Sequence, residues 1–566
     1  MLHLSREIRN PPDSKGLSDS YTTLIVPMLL SPQSPWKLQP TSTAENPVYE
    51  RLLGLTERGF YWDSIFDRTA DTVHYAEIEL TSEQTALLQQ DNIVQAWVDL
   101  KQQFPLLGAR LEERDQDSVF FVVEAQNLRR SRPEEVSFYD ISSADEALDH
   151  VERINVQERL LSNDLLARIF ILRRTDRPDT IHALIHGAHS ITDGMANITI
   201  LKTFLDRLCR TSKDLNPHLK LSVARRRWRM AMATVIYAMR NRKLQGGHTI
   251  PRTITPRTPY TPALSRRMAR TLSVEKSKAI ILNCRKNGIT FGNAYPILGQ
   301  LATARTLLRR YLRGDIKEGE WEFRTKEPMF SAGPLNMRPF LDKSWIDAGG
   351  FFSVCVSIGF FFYLLPFMPL GAGAKLRPGP GPQLPTFEEQ LSSQRFFLRS
   401  RSIRKQADNY FRHPLFVELG EVNLPHRIAR IQPVAVQWRR DGLPPHILDD
   451  RPLSPKEQAA TGFILGNGGS SMGNVDLLLP REYPSENSDK PMIYLREEKT
   501  FLHCRPTELY LGASTSAQQL KLHVFFDGNV YDDEVVSEWL DDVVSATEYY
   551  LGTPETPRES DRINCL

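Results

Sequence analysis

The residues best suited to chemistry are His189-Ser190-Ile191-Thr192-Asp193-Gly194, an HxxxDG pattern. An unperturbed imidazole titrates near neutral pH, so a histidine held in a loop can take a proton and return it, which is general-base work. Asp193 can fix the loop from behind, and Gly194 allows a close approach or a positive φ where the chain turns. The pattern would arise by chance about 0.04 times in a chain of this composition, which makes it informative. Two other readings compete. Asp193 can be a plain cap of the following helix, with His189 satisfied inside a turn. His182, His186 and His189 can instead be metal ligands, but in a strand 182 and 186 share a face that 189 does not, and no Cys or HExxH pattern joins them. No metal is expected.

Positioning such a loop takes a strand before it and a helix after it. Residues 180–185 read as the strand, and Met195, Ile198, Leu201, Leu205 and Leu208 recur at three- and four-residue intervals to give the helix one apolar face. Around them, 73–80, 119–124 and 168–172 read as strands, and Ile93, Ala96, Trp97 and Leu100 as a helical face. Later, two helices flank a turn at Gly288, a strand at 328–332 precedes the tight segment PLNMRPFL (334–341), and helical sequence resumes over 387–410. Residues 508–531 give two strands around a polar turn. The closing helix buries Val536, Trp539, Leu540, Val543 and Tyr550, with Asp532 or Asp533 as its cap. A carboxylate at the start of a buried helix does not stay ionised without a partner, and Arg338, held between Pro334 and Pro339, is the partner expected for Asp193.

At 566 residues, 41% hydrophobic and 25% charged, the chain can bury two large lobes, and its net charge of +3 points to no partner class. Few aromatics interleave its basic residues, which argues against nucleic acid. Cys209, Cys284, Cys355, Cys504 and Cys565 are scattered with no CxxC, so a disulfide framework is not expected and a reducing, cytoplasmic setting fits. The N-terminal residues lack an apolar signal core, and Cys565 stands too late for prenylation. Residues 349–370 are uncharged and long enough to span a bilayer. Pro366, Pro369 and the aromatic, β-branched content predict instead a buried strand crossing the core, so no stable membrane insertion is expected.

Composition divides the chain into an N-terminal arm (1–45), a first lobe with HxxxDG (46–215), a basic crossover linker (216–270), a second lobe (271–552) and a polar tail (553–566). Between 216 and 280 the only acid is Glu275. That basic stretch is either a solvated linker or a collar for the phosphates of coenzyme A, with Arg225, Arg226 and Arg227 as contacts.

Taken in order, FPLLGARLEE (104–113), HxxxDG, NMRPFL, SSMGNVD (470–476) and LHVFFDGNVYDDEVVSEWLDDV (522–543) resemble the landmarks of the CoA-dependent acyltransferase superfamily. That superfamily takes in chloramphenicol acetyltransferase, the plant BAHD acyltransferases and peptide-synthetase condensation domains. The resemblance spans residues 45–552 and is strongest to fungal secondary-metabolite O-acetyltransferases of the trichothecene 15-O-acetyltransferase type. Ala188 stands where condensation domains carry a second histidine, and the BAHD signature DFGWG is absent, with SSMGNVD in its position.

The resemblance implies an α/β fold of two chloramphenicol-acetyltransferase-like lobes, each a mixed β-sheet flanked by helices, with a channel between them. It implies a monomeric acyltransferase that binds no resident cofactor and uses acetyl-CoA or another acyl-CoA as co-substrate with a small hydroxylated acceptor. His189 would take the hydroxyl proton in a direct transfer with no acyl-enzyme, Asp193 and Arg338 would form a structural ion pair, and Ser470, Ser471 or Asn474 would hold the oxyanion. Two alternatives stay open: a carrier-protein-dependent condensation enzyme, and an inactive homologue that binds a metabolite. The acceptor alcohol and the acyl length are not legible.

Overall fold

The strand signals resolve into three sheets in a computed structural model. It describes residues 36–552 apart from 82–84, 158–159, 210–248 (Ala233 and Ile236 excepted), 328, 342, 380–382, 423, 443–449, 455–456, 459–467 and 486–489. A small sheet joins β1 (Lys37–Leu38), β2 (Val48–Leu52), β5 (Val119–Glu124) and β4 (Arg110–Glu113) in that order. Part of the expected N-terminal arm is therefore pinned to the first lobe by a short edge strand.

The first large sheet runs β13-β14-β3-β8-β7-β6, with β3 Thr72–Leu80, β6 Val136–Ile141, β7 Ala167–Arg174, β8 Thr180–Gly187, β13 Glu482–Tyr483 and β14 Ile493–Leu502. The second runs β11-β10-β12-β15-β16-β9, with β9 Ser265–Thr271, β10 Met329–Asn336, β11 Ile358–Leu365, β12 Gly468–Asn474, β15 Leu509–Ser516 and β16 Gln519–Asp527. Both are mixed: β6 runs parallel to β7, and β12 lies parallel to β10 and β15.

Seven helices matter for the site: α1 (Leu55–Ile65), α2 (Gln90–Gln103), α3 (Gly194–Leu208), α4 (Phe291–Arg313), α5 (Ser393–Phe411), α6 (Leu424–Asp441) and α7 (Asp533–Leu551). The apolar stripe of α3 is buried throughout with α1, α2 and the first sheet in one core. The stripe of α7 packs with α4, α5 and the second sheet in another. Asp532 caps α7, accepting from the amides of Glu534 and Val535 at 2.9 and 3.3 Å. The first sheet is covered on its other face too, where Val73, Tyr75, Phe170, Leu172 and Leu184 pack with Ala147, Val151 and Ile154, and the channel lies between the lobes.

Two features differ from the sequence expectations. First, the linear division into lobes is crossed. β14 pairs antiparallel with β3, from Ile493 opposite Leu80 to Leu502 opposite Thr72, and α6 packs on α1. The boundary drawn at residue 270 falls inside β9, because Arg266 to Thr271 pair with β16 and begin the second sheet. Second, residues 349–370 are not one buried strand. Only Ile358–Leu365 is a strand, it pairs with β10 alone at the sheet edge, and its burial alternates. Phe361, Tyr363 and Leu365 enter the core while Phe360 and Phe362 stay half-buried. Both faces are apolar, which conceals the alternation in the sequence. Among the described residues no helix is long and apolar enough to cross a membrane.

Candidate active site

β8 ends at Gly187, and the next residues form a tight knot before α3. The Ala188 carbonyl accepts from the Ile191 amide (3.0 Å), the Thr192 amide (3.2 Å) and the Thr192 hydroxyl (3.1 Å). His189 leaves this knot half-buried and lines a channel of about 720 Å³, within the usual range for small-molecule sites. Its ring stacks on Phe60 of α1, with centroids 3.9 Å apart and planes 10° off parallel. Nδ1 is buried, so Nε2 is the nitrogen able to reach a substrate. Burial pushes the imidazole pKa down to about 4, Arg505 and Arg427 push the same way, and Asp193 opposes them. The ring is therefore neutral at neutral pH and able to accept a proton.

Asp193 is 1% exposed and uses its two oxygens differently. Oδ1 accepts from the Ala196 amide at 2.9 Å and caps α3. Oδ2 accepts from Arg338 Nη1 and from the Ser357 amide, both at 2.8 Å. Arg338 is fully buried, and its Nη2 donates to the Cys355 and Ser353 carbonyls at 2.7 and 3.3 Å. Cap and ion pair, set against each other as alternatives by the sequence, coexist on one carboxylate. Gly194 serves a close approach and not a positive φ: a Cβ there would lie 3.1 Å from the Met472 methyl carbon, at the far edge of β12.

The second sheet supplies the opposite wall. Ser470, Gly512, His523 and Ala269 are paired in register across β12, β15, β16 and β9, and the next row is Gly468, Tyr510, Phe525 and Arg267. All but Gly512 line the channel. Gly512 has no space for a side chain, because a Cβ would lie 2.0 Å from His523 Nε2. Ser470 Oγ accepts from the Tyr510 hydroxyl at 2.5 Å. Ser471 also lines the channel, but Asn474 does not: its side chain accepts from the Asp476 amide at 3.1 Å and closes a turn. Asn474 is thereby withdrawn from the oxyanion candidates.

His182 and His186 point away from the channel, and His182 Nδ1 meets the Tyr75 hydroxyl at 2.9 Å. Among the described residues no three His, Cys, Asp or Glu side chains are grouped to hold a metal. Arg225, Arg226 and Arg227 lie outside the described residues. Of their basic neighbours, Arg270 pairs with Asp541 (2.8 Å), Lys276 with Glu548 (2.6 Å) and Arg257 with Asp450 (3.3 Å), whereas Arg267 lines the channel. Phe60, Asp63, Arg427, Arg505 and Tyr510 carry no local motif, and sequence reasoning missed them.

No protein-family model and no curated protein sequence matches the chain. Solved structures do. The TRI3 trichothecene 15-O-acetyltransferase from Fusarium sporotrichioides matches 92% of this chain and 99% of its own at 13% identity, with a TM-score of 0.62. The EpoB cyclization-docking bidomain of a nonribosomal peptide synthetase from Sorangium cellulosum matches 97% and 94% at 13% identity and a TM-score of 0.54. The condensation domain of the Monacolin K polyketide synthase MokA matches 88% and 97% at 11% identity and a TM-score of 0.52. Identities this low carry the fold and not the chemistry. The chain has the two-lobed, chloramphenicol-acetyltransferase-like α/β fold that an acetyltransferase and condensation-type domains share.

Proposed function

We propose that this protein is an acyl-CoA-dependent O-acyltransferase that transfers an acyl group, acetyl first among them, to a hydroxyl of a secondary metabolite of the terpenoid, trichothecene-like or polyketide kind. The observation that carries the reading is a neutral imidazole on the channel wall, its loop locked by the Asp193–Arg338 pair. His189 Nε2 takes the hydroxyl proton as the oxygen attacks the thioester carbonyl, and the imidazolium then protonates the departing thiolate. No acyl-enzyme forms. Ser470 and Ser471, opposite on β12, are the candidates to donate to the oxyanion. Acetyl-CoA arrives as co-substrate to a monomer in the cytoplasm.

The test is incubation of the purified protein with acetyl-CoA and a panel of polyhydroxylated terpenoids, reading thiol release and product mass. His189→Ala should lose about 10²–10⁴-fold in turnover with an unchanged melting temperature. Near-wild-type turnover in that variant removes His189 from the mechanism. Transfer from a phosphopantetheinylated carrier protein but never from CoA would replace this reading with the condensation-type one.

A further inference from the structure

Beside His189 the channel wall carries charge that base catalysis does not use. Arg427 on α6 and Arg505 in the turn after β14 both donate to a single oxygen of Asp63 on α1, Arg427 through Nη2 and Arg505 through Nη2 at 3.2 Å. All three line the channel. Asp63 is fully buried, and the Arg427 side chain is 9% exposed. Arg505 has a second partner in Glu508, at 3.3 Å. Arg427 has none: among the described residues its Nη1 meets no acceptor, and Asp63 Oδ1 meets no donor. A guanidinium holds its donors in a rigid fork and keeps its charge. A guanidinium on a cavity wall with the donors of one nitrogen unmet therefore suits a group that brings an acceptor oxygen.

The position is close to the reacting centre. Arg427 lies 4.3 Å over the Phe60 ring, the same ring on which His189 stacks. We propose that Arg427, supported by Asp63 and Arg505, is a subsite for a carboxylate carried by one substrate, either the acyl group of a dicarboxylic acyl thioester or a hydroxy-acid acceptor. Naming donor and acceptor rests on the acyl-transfer reading, whereas carboxylate binding does not. Two of the neighbouring acids in the channel are already engaged: Glu508 is held by the Arg505 amide at 2.8 Å as well as by its side chain, and Glu497 pairs with Lys499 at 2.8 Å. A bound carboxylate would also offset the two guanidiniums that add to burial in lowering the His189 pKa, and so favour the imidazolium formed during transfer.

The rival account is a structural brace that ties α1, α6 and the β14 turn together and binds nothing. Calorimetric titration of the full chain with acetyl-CoA, malonyl-CoA, methyl mandelate and mandelate separates the two. Malonyl-CoA should bind about tenfold tighter than acetyl-CoA, or mandelate about tenfold tighter than its ester, and the preference should vanish in Arg427→Met. The pair that shows the preference identifies which substrate carries the acid. Equal binding or none in both pairs, or a preference that survives in Arg427→Met, overturns the proposal. If Arg427→Met does not fold, Arg427→Lys decides: it keeps the charge on Asp63 without the second donor edge, so loss of the preference supports the subsite and its retention overturns it. Binding is read without turnover, so a protein that binds the acid but transfers nothing defeats only the acyl-transfer reading.

Discussion

At Asp193 one oxygen serves a helix and the other serves the opposite lobe, so the two oxygens fail differently when changed. Asp193→Asn can still cap α3, but its amide faces Arg338 and the Ser357 amide with a donor where an acceptor is needed. Stranding a buried guanidinium in this way costs about 3–5 kcal/mol, against roughly 0.5–2 for losing a cap. Asp193→Asn and Arg338→Met should therefore each lower stability by several kcal/mol and reduce turnover, and the double variant should lose much less than the sum. Denaturant melts of all four proteins check this, and strictly additive losses would exclude the coupling. Arg338 was legible because a buried carboxylate demands a cation, and a proline-bounded arginine is a rigid supplier of one. The Asp63 cluster was not, because its arginines stand 364 and 442 residues away in the chain and nothing local to any of the three marks them as partners.

Among the elements, β11 has an edge that would invite pairing if left bare. Gln406 of α5 covers it: its Nε2 donates to the Leu364 carbonyl at 2.8 Å and its Oε1 accepts from the Leu364 amide at 2.9 Å. The Tyr410 hydroxyl covers the Phe360 carbonyl at 3.1 Å. Leu364 and Phe367 beside it are 40% and 71% exposed, so a freed edge would be apolar as well as unpaired. Gln406→Ala should cost only about 1 kcal/mol but increase self-association, visible as light scattering at concentrations where the parent is clear. A variant that stays monodisperse would mean the edge is guarded by something else. Helix α7 was readable from spacing because it has one wet and one dry face, and α3 because its apolar residues keep helical spacing although Met195 to Leu201 are all buried. β11 was misjudged because a strand with the core on one side and the channel on the other looks like one buried on both.

At the scale of the molecule, several histidines are shifted in the same direction. Burial lowers His182, His189 and His503 to about 4 and His186 and His523 to about 3, from an ordinary value of 6.5. In each case the unfolded chain binds the proton first as pH falls. Their contribution is thus complete above pH 6.5 and is lost between 6.5 and about 3–4. Asp527, raised by burial to about 6, and Asp542, also raised by burial, have the opposite sign but are fewer. Unfolding midpoints in denaturant should fall steadily from pH 7 to pH 4, and less steeply in His523→Asn. A flat profile would show that these rings are not held neutral. The two large sheets were expected from the resemblance to the acyltransferase superfamily, but the partner of β14 was not, since an alternating strand pattern names a face and never a neighbour. That exchange has a consequence for the chain as it is made. β3 is synthesised with its outer edge bare and, at about 5–20 residues per second, waits on the order of 20–80 s for β14 to leave the ribosome. For that interval the nascent chain offers an open template to any extended peptide nearby. The yield of active protein in a cell then depends on how well chaperones cover that edge, whatever the stability of the finished fold.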